Sequence, residues 1–259
     1  MLFKRFISLS FRSQMQYPSS FVLLSLSHFL STVIDIFAIW VLFDRFKLVA
    51  GWDLYEVGLI YGIVHIGFAF AESFARGFDT FHLMIKQGDF DRILLRPQSS
   101  LFQIACQEVQ LMRVGRLLQG CFVLFYSGHQ LSLSFFSFHT LIILFSILGT
   151  TALFYGLFII QGALSFWTVE GLEIMNITTY GGVMTGQYPM SLYTRPFRLI
   201  FTFLIPLACV GYYPIATLLN HESLPFALGL LAPLFGFLFL LLSIGIWHLG
   251  VHHYKSTGS

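Results

Sequence analysis

The chain has 259 residues, 56% of them hydrophobic and 18% aromatic, and only 10% charged. Soluble domains carry about 25% charged residues, so this composition excludes a single soluble domain and a disordered chain, and leaves a polytopic membrane protein. A net charge of +2, spread thinly between oily segments, also excludes a nucleic-acid interface.

At the start, Phe3, Phe6, Ile7 and Phe11 recur at helical spacing opposite Lys4, Arg12 and Gln14. This predicts an amphipathic helix over residues 1–18 that lies in the membrane interface. Polar Ser8, Ser10, Arg12 and Gln14 interrupt any signal-peptide core.

A membrane-spanning helix needs roughly 20 apolar residues. The rule predicts an all-α fold with crossings at about 21–43, 57–74, 104–127, 135–160, 200–219 and 226–249. The third is the weakest, because Gln107, Glu108, Gln110, Arg113 and Arg116 occupy its first half. Continuous runs such as Leu234–Leu242 lack the alternation of a β-barrel.

Within the first crossing, His28 and Asp35 are seven residues apart and share a face. An ionisable residue in hydrocarbon is a functional candidate by default. Asp35 is read three ways: an acceptor for another helix, part of a substrate path, or a residue nearer the surface than its position suggests. In the second crossing Glu72 and Arg76 stand one turn apart, which predicts an ion pair. Gly58, Gly62 and Gly149 allow helices to approach closely.

Six crossings put both termini on one side. Twelve Lys and Arg fall on that side and only Arg45 and Lys47 on the other, so both termini are expected in the cytoplasm. The inner loops, 75–103 and 161–199, are then the long ones, and the docking surface is expected there.

The first inner loop contains Lys86–Pro97, KQGDFDRILLRP. Gly88 closes the preceding helix and Asp89 caps a new one that Pro97 stops. The product is a two-turn helix over Asp89–Arg96, with Phe90, Ile93 and Leu94 on one side beside Arg92 and Arg96. So short a helix is marginal alone. It braces the protein's own inner face or enters a partner's groove, and both readings stand.

The second inner loop carries FWTVEGLEIMNITTYGGVMT over residues 166–185. Glu170 and Glu173 mark one helical surface, and Gly181–Gly182 are expected to interrupt it. An interfacial helix anchored by Trp167 is the first reading, and a re-entrant segment the second. Arg195 and Arg198 end the loop at the membrane surface, facing lipid or a partner. Pro206 is expected to kink the fifth crossing, as a structural bend or a gating joint.

The run GDFDRILLRPQSSLFQI at Gly88–Ile104 resembles a signature of membrane subunits of ABC transporters. Tyr188–Pro189, then Tyr193 and Arg198, and FTFLIPLACVGYYP at Phe201–Pro214 continue the likeness to ABC-2-like permeases with six crossings. It extends from about residue 5 to residue 250. The resemblance implies an exporter permease in the bacterial plasma membrane, paired with a second permease, of the same or a related chain, and with two separate ATPase subunits. In that reading Asp89–Arg96 is the coupling helix. No G-x-x-x-x-G-K-[ST] phosphate loop occurs, so ATP and Mg are expected in the partner ATPase and no cofactor in this chain. The expected cargo is a small or lipid-like molecule of unknown identity. A standalone secondary transporter and an intramembrane lipid-modifying enzyme are the alternatives. The former lacks an inverted repeat, and the latter lacks a convergent acid, base and acceptor.

Overall fold

The computed structural model describes residues 11–134, 138–168, 173–221 and 225–256, without the side chains of Leu111, Glu173 and Ile174. Most of the expected N-terminal interfacial helix lies outside these residues, apart from a helical turn at 11–14. The helices are α1 (Pro18–Phe46), α2 (Leu54–Asp79), α3 (Phe81–Gln87), α4 (Phe90–Leu94), α5 (Ser100–Ala105) and α6 (Val114–Gln130). They continue as α7 (Phe138–Leu164), α8 (Glu173–Gly186), α9 (Arg195–Leu199), α10 (Tyr213–Leu218), α11 (Phe226–Leu231) and α12 (Leu234–His253).

Among the described residues, four helical stretches are long and apolar enough to cross a membrane: α1, α2 with α3, α7 and α12. The third expected crossing starts later than its hydropathy suggests. Ile104 belongs to α5, Gln107–Gln110 are not helical, and α6 begins only at Val114. The polar run 107–116 is therefore a connection and a helix start.

The fifth expected crossing, 200–219, is not one continuous helix. Arg195–Leu204 and Ala208–Leu218 meet at 86°. Pro206 removes a backbone donor and disfavours helix in the residue before it, and Ile205 is extended at φ −122° and ψ 94°. Thr202 and Tyr213 then join the two limbs through their hydroxyls, 3.3 Å apart. The sixth crossing also starts late, because Pro233 separates α11 from α12.

At the centre stands α2, buried over most of its length between α6 and α7, with α12 packed along α7. A reciprocal cap starts it. Asp53 Oδ1 accepts from the amides of Tyr55 and Glu56, both at 2.8 Å, and Glu56 Oε2 accepts from the Asp53 amide at 2.9 Å. Gly149 is needed where α7 meets α12, because a Cβ there would lie 2.7 Å from the Pro233 carbonyl oxygen. By contrast α1 buries only 11% of its apolar stretch, with Thr32, Ile39 and Phe43 turned inward.

Helix α8 packs on α2 and α7 and buries Met175, Thr179 and Val183. Gly181 and Gly182 do not interrupt it, since helix continues from Glu173 to Gly186.

Candidate functional site

The short helix α4 is five residues long, Phe90–Leu94, so the expected two turns shrink to little more than one. Gly88 adopts the expected left-handed conformation at φ 73°. Asp89 does not cap the helix with its side chain. It pairs instead with Arg92 at 3.2 Å on an exposed surface. That pair is solvent-screened and adds little stability.

Phe90 is fully buried, which corrects the expectation that it stands with Ile93 and Leu94 on one open face. Its ring lies 5.1 Å from Phe81, 5.4 Å from Phe166 and 5.0 Å from Tyr254. Trp247 completes this aromatic knot, 4.9 Å from Phe81 and 5.3 Å from Phe166. Gln103 holds the following turn by donating to the Ile93 and Gln98 carbonyls, each at 3.0 Å. One side of α4 therefore braces the protein, and the other is open.

The open side carries Leu94, 44% exposed, then Leu95 at 86% and Arg96. Leu95 lies within the expected Asp89–Arg96 helix but not on its expected apolar side with Phe90, Ile93 and Leu94; the observed helix ends one residue before it. Beside it, Asp89, Arg92, Ile93, Arg96, Gln103 and Gln107 line a groove of about 300 Å³.

A second cluster lies inside the bundle. Glu72, only 4% exposed, pairs with Arg113 and Arg116, each at 3.2 Å. Tyr180 of α8 donates to Glu72 Oε1 at 2.9 Å. The expected Glu72–Arg76 pair does not form, and Arg76 turns to Asp79. A buried carboxylate needs charged partners that are themselves shielded. Two arginines three residues apart at the start of α6 supply them from one helix face. Arg116 also lies over the Phe68 ring, 4.9 Å from its centre.

His28 joins this cluster rather than Asp35. Arg113 Nη1 approaches its ring nitrogens at 2.9 and 3.2 Å. Asp35 lies within electrostatic reach of Tyr61, Tyr188 and Arg116. Among the described residues it makes no hydrogen bond or ion pair. The structure therefore does not bring His28 and Asp35 together. Pro206 borders an apolar cleft with Phe203, Leu204, Phe239 and Leu242, which none of the charged cluster residues lines.

The remaining expected site residues do not converge. Glu170 lies outside the described residues, as does the side chain of Glu173. Arg195 is exposed and Arg198 half-buried at the start of the bent segment. Among the described residues no group of three His, Cys, Asp or Glu side chains is placed to hold a metal ion.

Residues 29–258 match the family described as ABC-2 family transporter protein. The chain belongs to the ABC-2 transporter family. The match takes in Glu72, Arg113, Arg116 and Tyr180, together with α4 and the bent segment, and begins one residue after His28. No curated protein and no solved structure matches the chain. As an ABC-2 family transporter, the chain is an integral membrane protein and a membrane component of a transport system. Membership of this family implies association with ABC ATPases. The open side of α4 is a mixed surface. It combines exposed leucines with arginines at the edge, as interfaces do.

Proposed function

We propose that this chain is the permease of an ATP-driven exporter, which forms the cargo path with a second permease and takes its energy from separate ATPase subunits. The family match over residues 29–258 is the observation that carries this reading. The open side of α4 supports it. In this reading the ATPase binds ATP and Mg, and α4 with its flanks, Asp89–Arg96, is the coupling element. The cargo is a small or lipid-like molecule, and Asp35 and the Pro206 break belong to its path.

Six crossings follow when α6 and the bent segment each count as one, with both ends of the chain in the cytoplasm of a bacterium. Single cysteines, Ser19→Cys, Gln130→Cys and Ser256→Cys, test this in a background without Cys106, Cys121 and Cys209. A membrane-impermeant thiol reagent applied to intact cells is expected to label position 130 alone. Labelling at either end from outside rejects the topology.

The coupling role is tested by Leu94→Ser together with Leu95→Ser. Both side chains are exposed, so the permease stays monodisperse. Truncating such anchors is expected to weaken binding of the ATPase subunit by roughly 2–4 kcal/mol. The measurement is retention of the ATPase on purified permease, with ATP hydrolysis followed in the same complex. Full retention by the double variant rejects α4 as the docking element.

A further inference from the structure

Asp91, the second residue of α4, is held by the chain's far end. Its Oδ1 accepts from the Tyr254 hydroxyl at 3.1 Å, and its Oδ2 from the Ser256 hydroxyl at 2.7 Å. Both carboxylate oxygens are thus engaged by residues 163 and 165 positions away in sequence. The adjacent Phe90 meets the Tyr254 ring edge-on, at 88° between planes. Tyr254 caps the C-terminal end of α12, and its amide donates to the Gly250 carbonyl at 3.0 Å. About two turns of helix earlier, Trp247 Nε1 donates to Ser100 Oγ at 3.2 Å, which ties α12 to α5 as well.

From these contacts we infer that Tyr254 and Ser256 clasp Asp91, so that α12 and the docking helix α4 move as one body when the ATPase closes. The inference rests on the proposed coupling role of α4. It adds a route for force: from α4 through the clasp into α12, and from α12 into α7, against which it packs. Tyr254 and Ser256 are positioning residues, which act through Asp91 and touch no cargo. Burial first, and then Asp91 beside it, raise the Tyr254 phenol above its ordinary value. The hydroxyl therefore keeps its proton and remains a donor throughout the neutral range.

The test removes both donors and keeps the ring, as Tyr254→Phe with Ser256→Ala. Amide hydrogen exchange, followed by mass spectrometry on the intact purified permease, reads the clasp itself. Exchange over residues 90–95 and 250–256 is expected to rise together, roughly tenfold, as hydrogen bonds to a charged acceptor are lost. Adding Asp91→Ala to the pair should cause no further rise, because the three side chains form one unit. Unchanged exchange overturns the clasp.

The second readout is the response of the permease–ATPase complex to MgATP with vanadate. In the unaltered complex, exchange across residues 234–253 should change on trapping. In the variant that response should be lost, while residues 54–79 still respond and the ATPase is still retained. A purely structural tie would alter exchange without nucleotide and leave this response intact, so a retained response at 234–253 overturns the coupling role. A disulfide between Asp91→Cys and Ser256→Cys should preserve the response, and arrest by that disulfide also overturns it. If the unaltered permease retains no ATPase, the coupling reading of α4 fails with the role built on it. The nucleotide-free exchange then still decides whether the clasp exists.

Discussion

Glu72→Ala should cost the bundle about 3–5 kcal/mol, the usual penalty when one member of a buried ion pair is removed. Arg113 and Arg116 would face each other in the protein interior with no carboxylate between them, and Tyr180 would lose its acceptor. Thermal unfolding of the detergent-solubilised permease measures the loss. Arg113→Ala and Arg116→Ala should each do less damage, because Glu72 keeps one arginine and Tyr180. Replacing the charged triad together by apolar residues of similar size should restore much of the stability, since whole buried ion clusters are often exchangeable for packing. A Glu72→Ala variant as stable as the unaltered protein would show that the cluster is hydrated.

Phe90→Ala should remove the seat of α4. The ring is fully buried among Phe81, Phe166 and Tyr254, and truncating such a ring typically costs about 3–5 kcal/mol. The unfolding midpoint should fall, and ATPase retention should fall with it because α4 is no longer held. Phe90→Leu, which keeps most of the volume, should recover much of both. Fluorescence of Trp247, 4.9 Å from the Phe81 ring, reports the repacking directly. Retention that falls without any loss of stability would move Phe90 from the knot to the docking face. This variant and the Leu94→Ser, Leu95→Ser pair thus read opposite sides of the same short helix.

The long apolar segments were legible because hydropathy acts along one helix at a time. Residues 138–164 and 234–253 needed no knowledge of their neighbours, and both form helices close to where composition puts them. The Pro206 break was legible as a fault in the helix but not as an 86° bend. Its angle depends on what the two limbs pack against, including the Thr202–Tyr213 contact.

Side-chain partners were harder to read. The one-turn rule paired Glu72 with Arg76, yet the protein uses Arg113 and Arg116 from another helix. Local spacing carries only a few tenths of a kcal/mol, whereas burial of a carboxylate is worth several, so the tertiary pairing wins. A signal was present in the sequence, since two arginines three apart in an oily segment also need a shielded partner. The sidedness of α4 had no such signal. Five residues cannot reveal whether an aromatic face meets the protein itself or a partner, and Phe90 was read with the wrong side.

The aromatic knot bears on the order in which the protein is made. It joins Phe81 and Phe90, in the first third of the chain, to Trp247 and Tyr254 near its end. A nascent chain synthesised as far as α11 already contains Phe81 and Phe166, but it lacks Tyr254, the third ring around Phe90, and Trp247 behind them. The seat of its short helix is complete only once α12 is in place, and one isolated turn does not persist in water. In the proposed coupling role of α4, ATPase docking then waits for α12. On that reading a chain truncated before α12 would be a poor competitor for ATPase subunits, and loss of Tyr254 would weaken a contact encoded 163 residues earlier.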